Sequence, residues 1–215
     1  MKGELLNLLK ESDGHLSGKE LCERFGVSRT AVWKVINQLK EEGYEIEAVR
    51  NKGYILKSVS DVLSKEELES SLKTRWAGKE ILYFDRTDST NIQARLAGEA
   101  GASHGTPAVA EIQDGGRGRR GRSWVSPAGV GIWMSLLLRP EISPISASTL
   151  TLVMALAAQQ GINEATGIDS QIKWPNDLVL NKKKICGNLP ELGTEFLEVN
   201  YVVMGSGINV NQEGF

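Results

Sequence analysis

The strongest chemical signal in the chain is eight consecutive residues, Gly115-Gly116-Arg117-Gly118-Arg119-Arg120-Gly121-Arg122. Their glycines let the backbone approach a ligand closely. Arginines this close together repel one another unless they face an anion. Guanidinium forks fit phosphate oxygens, so a triphosphate is the natural partner. The loop lacks the Lys-Ser/Thr ending of a P-loop and is not that motif. An Arg/Gly RNA-binding tract or a plain basic surface loop are the alternatives. RNA-binding tracts of this kind are usually repeated in disordered chains, whereas this loop lies between two strand-like apolar runs, Ala108-Val109-Ala110 and Ile132 to Leu138. It is expected to be mobile without a ligand.

Three further clusters bear on the same chemistry. In Asp85-Arg86-Thr87-Asp88-Ser89-Thr90-Asn91, the last three residues offer neutral donors and acceptors between an apolar strand, Ile81-Leu82-Tyr83-Phe84, and an Ala-rich helix from Ile92. Such groups bind a neutral polar head, a ureido ring for example, without burying excess charge. An ordinary helix N-cap is the plainer reading. In Lys173-Trp174-Pro175-Asn176-Asp177-Leu178, Pro175 pins the backbone. Asn176 and Asp177 then project oxygens suited to Mg²⁺ or a ribose hydroxyl; the plainer reading is a turn before a strand, Leu178-Val179-Leu180, in a hairpin closed by Asn181-Lys182-Lys183. In Lys184-Ile185-Cys186-Gly187, with Glu191 further on, a lysine at the start of an apolar strand can hold its ammonium against a transferring phosphate. Lys182 and Lys183 read equally well as a solvated turn. Gly205-Ser206-Gly207-Ile208-Asn209-Val210-Asn211 follows a buried strand, Tyr201-Val202-Val203-Met204, and is weak evidence alone.

The first sixty residues supply a different function. Leu5, Leu6, Leu8 and Leu9 precede a break at Ser12-Asp13-Gly14. Ser17-Gly18-Lys19-Glu20 is a capping box for a second helix with Leu21, Cys22 and Phe25 inward. Gly26 ends it. Ser28 caps a third helix through Leu39, whose Val32, Val35, Ile36 and Leu39 recur at helical spacing. This is a helix-turn-helix pattern. Tyr44 to Arg50 and Tyr54-Ile55-Leu56 make strands around the turn Asn51-Lys52-Gly53, giving a wing. Ser28, Arg29, Thr30, Trp33 and Lys34 then sit on or beside the recognition helix, and Arg50 and Lys52 approach phosphate from the wing. A small helical packing domain is the alternative. Residues 1–60 hold ten Lys and Arg against nine Asp and Glu, a net charge of +1. Phosphate neutralisation supplies much of DNA affinity, so two copies in a dimer are expected to be needed.

The 215 residues allow one large domain or two modest ones, and 40% hydrophobic with 24% charged residues is ordinary globular composition. A net charge of −2 confines any nucleic-acid surface to a local patch. Cys22 and Cys186 have no nearby Cys or His at metal-ligand spacing and read as reduced thiols. The N-terminus lacks a signal-peptide core, and the apolar runs Ile132 to Leu138 and Leu150 to Ala158 are too short or interrupted to span a bilayer. A cytoplasmic protein without a membrane partner is expected. The polar stretch Ser58 to Lys73, with a capping box at Ser64-Lys65-Glu66-Glu67, reads as a connection. The expected division is 1–60 for the winged helix, 61–79 for the connecting helix and 80–215 for the chemistry.

The GRGRRGR loop, the KWPND segment, the lysine strand KxxG and the GxGINVN turn, in this order, resemble biotin–protein ligases. The leading winged helix resembles the repressor-type members, which control biotin operons. The resemblance implies an α+β protein: a winged helix followed by a catalytic domain like that of class II aminoacyl-tRNA synthetases. It implies that biotin reacts with MgATP to give biotinyl-5′-adenylate, and that a lysine of a biotin carboxyl carrier protein then takes the biotin. Carried over by motif, Ser89, Thr90, Asn91, Gln113, Gly116, Arg117, Arg119 and Lys184 contact biotin. Arg117, Arg119, Arg122, Trp124, Asn176, Asp177 and Asn209 serve the nucleotide. Lys184 and Arg119 are catalytic, and Asn176 and Asp177 take Mg²⁺. The adenylate is also expected to act as corepressor, ordering the loop and favouring a homodimer that pairs two DNA heads on a palindromic operator.

The chain departs from the family pattern. Gly187-Asn188-Leu189-Pro190-Glu191 stands where Gly-Ile-Leu-Thr/Val-Glu is common, and Ser206 replaces a usual apolar residue. Pro190 removes a donor from an expected central strand, and Asn188 puts a polar group at an apolar place. Family members also continue past the position of Phe215, so a fragment or a truncated protein is expected. A regulator that senses biotin or its adenylate without productive transfer is the second reading. A lipoate-type acyl ligase is the third, with the Arg/Gly loop against it.

Overall fold

Leu5, Leu6 and Leu9 recur on one side of helix α1 (Lys2–Glu11), and Val32, Val35, Ile36 and Leu39 on one side of α3 (Arg29–Glu41); all seven are buried. The computed structural model describes residues 1–58, 63–147, 149–195 and 198–212, and these fall into two compact units, Met1–Lys73 and Thr74–Phe215.

In the first unit α2 (Gly18–Phe25) completes a three-helix core with Leu21, Tyr44 and Ile46. Burying side chains of this size contributes about 1.5–3 kcal/mol each. Ser17 Oγ accepts from Glu20 N (3.1 Å), and Ser28 Oγ from Ala31 N (3.2 Å), so both expected N-caps are made. The wing is an antiparallel pair, β1 (Glu45–Val49) and β2 (Gly53–Ser58). Asn51 turns it with a φ of 64°. The short helix α4 (Lys65–Ser71) belongs to this unit. Its Glu67 carboxylate accepts from Tyr44 Oη (2.9 Å) and pairs with Lys10, and Glu66 pairs with Lys2 (2.9 Å). The compact unit therefore runs thirteen residues beyond the expected winged-helix end at residue 60, whose boundary with the connecting segment lies outside the described residues.

The second unit is built on a seven-stranded sheet of order β3-β4-β5-β9-β8-β7-β6. Its strands are β3 (Leu82–Thr87), β4 (Pro107–Gln113), β5 (Gly131–Leu138), β6 (Gln171–Lys173), β7 (Asp177–Leu180), β8 (Lys183–Glu195) and β9 (Glu198–Asn209). β3 and β4 run parallel and the other neighbours antiparallel. The parallel crossover carries α5 (Thr90–Glu99), whose Ala94 packs with Ala108, Leu137 and Val203. Strand β3 runs three residues past Phe84, and α5 begins at Thr90, two residues earlier than its apolar pattern suggests.

Helix α7 (Leu150–Thr166) follows a short α6 (Pro144–Ala147) and packs Ala155, Ala158 and Ile162 against Leu178 and Cys186. The sequence alone reads this run as too short for a bilayer, yet Pro144–Thr166 reaches a mean hydropathy of 1.3 over sufficient length. It buries Thr151 and Ala155 and leaves Leu152, Val153 and Leu156 exposed.

Pro190 lies inside β8 as a strand residue, opposite Met204. Pairing with β7 ends at Gly187, so β8 beyond it is paired on one side alone, the situation in which a strand tolerates proline.

Candidate functional site

The candidate residues of the second unit gather on one side of β8 and β9. Alternate residues of a strand face opposite sides, and Gly187, Gly205 and Gly207 share the side toward Asn91, Trp124 and Lys184. A Cβ on Gly205 would stand 2.0 Å from Asn91 Oδ1, and one on Gly207 2.5 Å from Trp124 Nε1. The glycines thus make a floor on which Asn91 and Trp124 lie closer than a Cβ would allow. At the back of this floor Thr90, Asn91 and Gln113 form a buried network. Gln113 Oε1 accepts from Thr90 N (2.8 Å), and Gln113 Nε2 donates to Ser126 Oγ (2.8 Å). Ser135 Oγ lies 2.7 Å from Thr90 Oγ1 and 2.6 Å from Asn91 Oδ1.

Sequence reasoning missed Ser126 and Ser135. Ser135 is a lone hydroxyl in the apolar strand Gly131–Leu138, and that misfit was its available signal. Ser89 stands at the N-cap position of α5, but its hydroxyl makes no cap bond among the described residues. Asp88 Oδ1 accepts from Ser89 N (2.6 Å) and Gln93 Nε2 (2.9 Å). Partial burial opposes ionisation of Asp88, but these bonds outweigh it and hold the carboxyl below the usual range.

The Arg/Gly loop folds as a narrow hairpin. Trp124 N donates to Gly116 O (2.8 Å) and Gly118 N to Arg122 O (2.7 Å). Arg120 and Gly121 turn it with φ of 58° and 75°. Gly116 is required here, because a Cβ would fall 2.3 Å from Trp124 O. The hairpin lays the Trp124 indole over the floor. Only about 30 Å³ then remains among Trp124, Asn91, Gln113 and the glycines, roughly the share of one water molecule. The indole Nε1 is buried there without a partner among the described residues.

Around this pocket the hairpin meets the other two clusters. Arg119 Nη1 donates to Asn176 Oδ1 (3.1 Å). Lys184 Nζ pairs with Asp177 Oδ1 (2.7 Å) and sits 5.0 Å from the Trp124 ring centroid, a cation–π arrangement. Asn209 Nδ2 donates to Lys184 O (3.4 Å). Arg117 approaches Glu191 (3.8 Å), and Arg122 is exposed. Lys182 and Lys183 are exposed; Asn181 and Lys182, both at positive φ, make the hairpin turn, and Lys183 is the first residue of β8. The structure thus brings Arg119 to Asn176 and Lys184 to Asp177, with Lys184 beside Trp124, which lines the pocket together with Arg117. Two cations stand beside one carboxylate and a carboxamide, an arrangement that can bind an anion and position it for displacement.

Cys186 takes no part. Burial pushes its thiol up to about 11, which leaves it protonated and unreactive near neutral pH.

In the first unit Ser28, Arg29, Thr30, Trp33, Lys34, Arg50 and Lys52 are all exposed. Arg29, Arg50 and Lys52 line a cleft of about 570 Å³ between the start of α3 and the wing. Lys19, on α2, joins them and was not singled out by the sequence.

A family model described as the Biotin/lipoate A/B protein ligase family matches residues 83–209, and one described as an HTH domain matches residues 3–55. The chain is 44% identical to the bifunctional ligase/repressor BirA of Bacillus subtilis, covering 99% of this chain and 66% of the relative. It is 34% identical to the bifunctional ligase/repressor BirA of Escherichia coli, covering 96% and 63%. It therefore spans just under two thirds of these relatives' length. Among solved structures, biotin protein ligase from Aquifex aeolicus in complex with biotin and ATP superposes with a TM-score of 0.52 at 34% identity, over 64% of this chain and 55% of that one. The Leishmania major biotin protein ligase in complex with biotinyl-5-AMP gives 0.55 at 25%, over 65% and 60%.

Proposed function

Because the chain belongs to the biotin/lipoate A/B protein ligase family, we propose that it activates biotin with ATP and that its first unit binds operator DNA. A biotin carboxylate oxygen attacks the α-phosphorus of ATP; the bond to the bridging oxygen breaks and pyrophosphate leaves. The amine of a carrier-protein lysine then attacks the acyl carbon of the mixed anhydride, and AMP leaves. The observation that carries this reading is a glycine-floored pocket of mostly neutral polar side chains with Arg117 in its wall, beside which Lys184 meets Asp177 and Arg119 meets Asn176.

Thr90, Asn91 and Gln113 supply donors and acceptors for the ureido head, with Ser89 beside them. Lys184 exchanges its Asp177 partner for the carboxylate and the α-phosphate, which draws the two anions together. Gly116, Arg117, Arg119 and Arg122 close over the phosphates, and Trp124 leaves the floor as biotin enters. Asn176 and Asn209 hold the adenylate. Asp177, with Asn176 beside it, fits a Mg²⁺ ion that arrives on the triphosphate, because that ion keeps waters and phosphate oxygens as most of its ligands. When bound it supplies charge neutralisation at the phosphates.

Incubation with labelled biotin and MgATP tests the reading. A bound, acid-labile biotinyl-adenylate is expected. No adenylate, or better use of lipoate than of biotin, overturns it. The second reading, a regulator without catalysis, draws on Pro190 and on the chain's partial span of its relatives. Transfer to a biotin carboxyl carrier protein decides it. The homodimer is tested by sedimentation, where adenylate is expected to double the mass.

A further inference from the structure

Asn188 and Ser206 are the two polar departures within the strand pair under the pocket, and they are cross-strand partners in the β8–β9 register. Both are buried, at 1% and 5% exposure. They point away from the pocket, toward the α7 side of the sheet, as Cys186 does. Ser206 Oγ donates to Asn188 Oδ1 (2.9 Å). Asn188 Nδ2 donates to Asn176 O (3.2 Å), and Asn188 N donates to the same oxygen (2.9 Å). Asn176 Nδ2 returns a bond to Asn188 O (3.0 Å). Asn176 Oδ1 accepts from Arg119 of the loop.

These bonds form one chain from Ser206 through Asn188 to the turn that carries Asn176 and Asp177. A buried amide left unpaired costs far more than the bond is worth when made. The hydroxyl at 206 therefore satisfies the carboxamide at 188, which turns its NH₂ toward the Asn176 carbonyl. We propose that Asn188 and Ser206 are positioning residues for the nucleotide half of the reaction, acting through Asn176 from the back of the sheet. The inference rests on the ligase reading above. It gives Asn188, a polar departure from the family pattern, a part in the site.

The test compares the full chain with Asn188→Leu, Ser206→Ala and the double variant. It reads thermal midpoint, biotin affinity, the KM for ATP in adenylate formation, and hydrogen exchange of the Asn176 side-chain amide without ligand. Asn188→Leu is expected to lower the midpoint, raise the KM for ATP about tenfold, leave biotin affinity unchanged and speed the exchange. The double variant is expected to regain the midpoint while the KM stays raised, because packing is restored but the Asn176 carbonyl has lost a donor. Recovery of both in the double variant marks a packing role alone and overturns the proposal, as do equal changes toward biotin and ATP. If Asn188→Leu does not fold, Ser206→Ala decides: a two- to threefold rise in KM with faster exchange supports the proposal, and no change overturns it. Should the unaltered chain make no adenylate, the ligase reading falls, and the Asn176 exchange decides the positioning separately.

Discussion

Lys184 is held ready but turned aside. Its pairing with Asp177 and its place over Trp124 keep the ammonium beside the pocket, one partner exchange away from an anion entering between them. Lys184→Ala is expected to slow adenylate formation by about 10²–10³-fold, as loss of a positioned transition-state donor does, with the thermal midpoint little changed because the side chain is partly exposed. Single-turnover measurement of pyrophosphate release checks it. The thiols differ as sharply. Cys186 is fully buried with its thiol raised to about 11, so the thiolate gains stability from the fold at no working pH. Cys22 is partly exposed. Alkylation at pH 8 is expected to label Cys22 and leave Cys186 unmodified until the protein unfolds; mass spectrometry of the peptides reads both.

At the scale of elements, the working pieces are the glycine floor and the hairpin above it. Gly207→Ala places a methyl 2.5 Å from Trp124 Nε1, which pushes the indole off the floor and narrows the pocket against any ligand. Biotin affinity is expected to fall at least tenfold with the fold intact, measured by calorimetry. The indole itself reports the same event: tryptophan emission is expected to change on biotin addition, and Trp124→Phe to remove most of that change. Asn188 and Pro190 belong to this scale. Each violates a strand rule in isolation, and each is absorbed by its element, Asn188 by Ser206 and Asn176, Pro190 by the one-sided pairing of β8.

At the scale of the molecule, two compact units with separate cores carry the two proposed activities. Leu39 is fully buried in the first core, so Leu39→Ala is expected to cost that unit about 2–5 kcal/mol. DNA binding should be lost while adenylate formation continues; gel shift and the adenylate assay on one preparation check both. The cations of the wing cleft are expected to set the salt dependence of the proposed DNA binding. With Lys19, Arg29, Arg50 and Lys52 on phosphates, log Kd against log salt is expected to have a slope of about 3–4 per unit, reduced by about 1 in Lys52→Ala.

The helices of the first unit, its wing, the Arg/Gly loop and the lysine strand were legible in the sequence because each is a local pattern. Helical spacing, capping serines and turn glycines act within a few residues, and the chain kept them. What the sequence could not show was which residues meet across long separations. Ser135 entered the pocket network through strand β5, far from Thr90, and Ser126 through its bridge to Gln113 at the end of β4. Helix α4 joined the first unit through Lys10 and Tyr44. Asn188 and Ser206 each look like a defect, and they become a pair only because the β8–β9 register sets them opposite one another in a place where a buried polar group must find its partner.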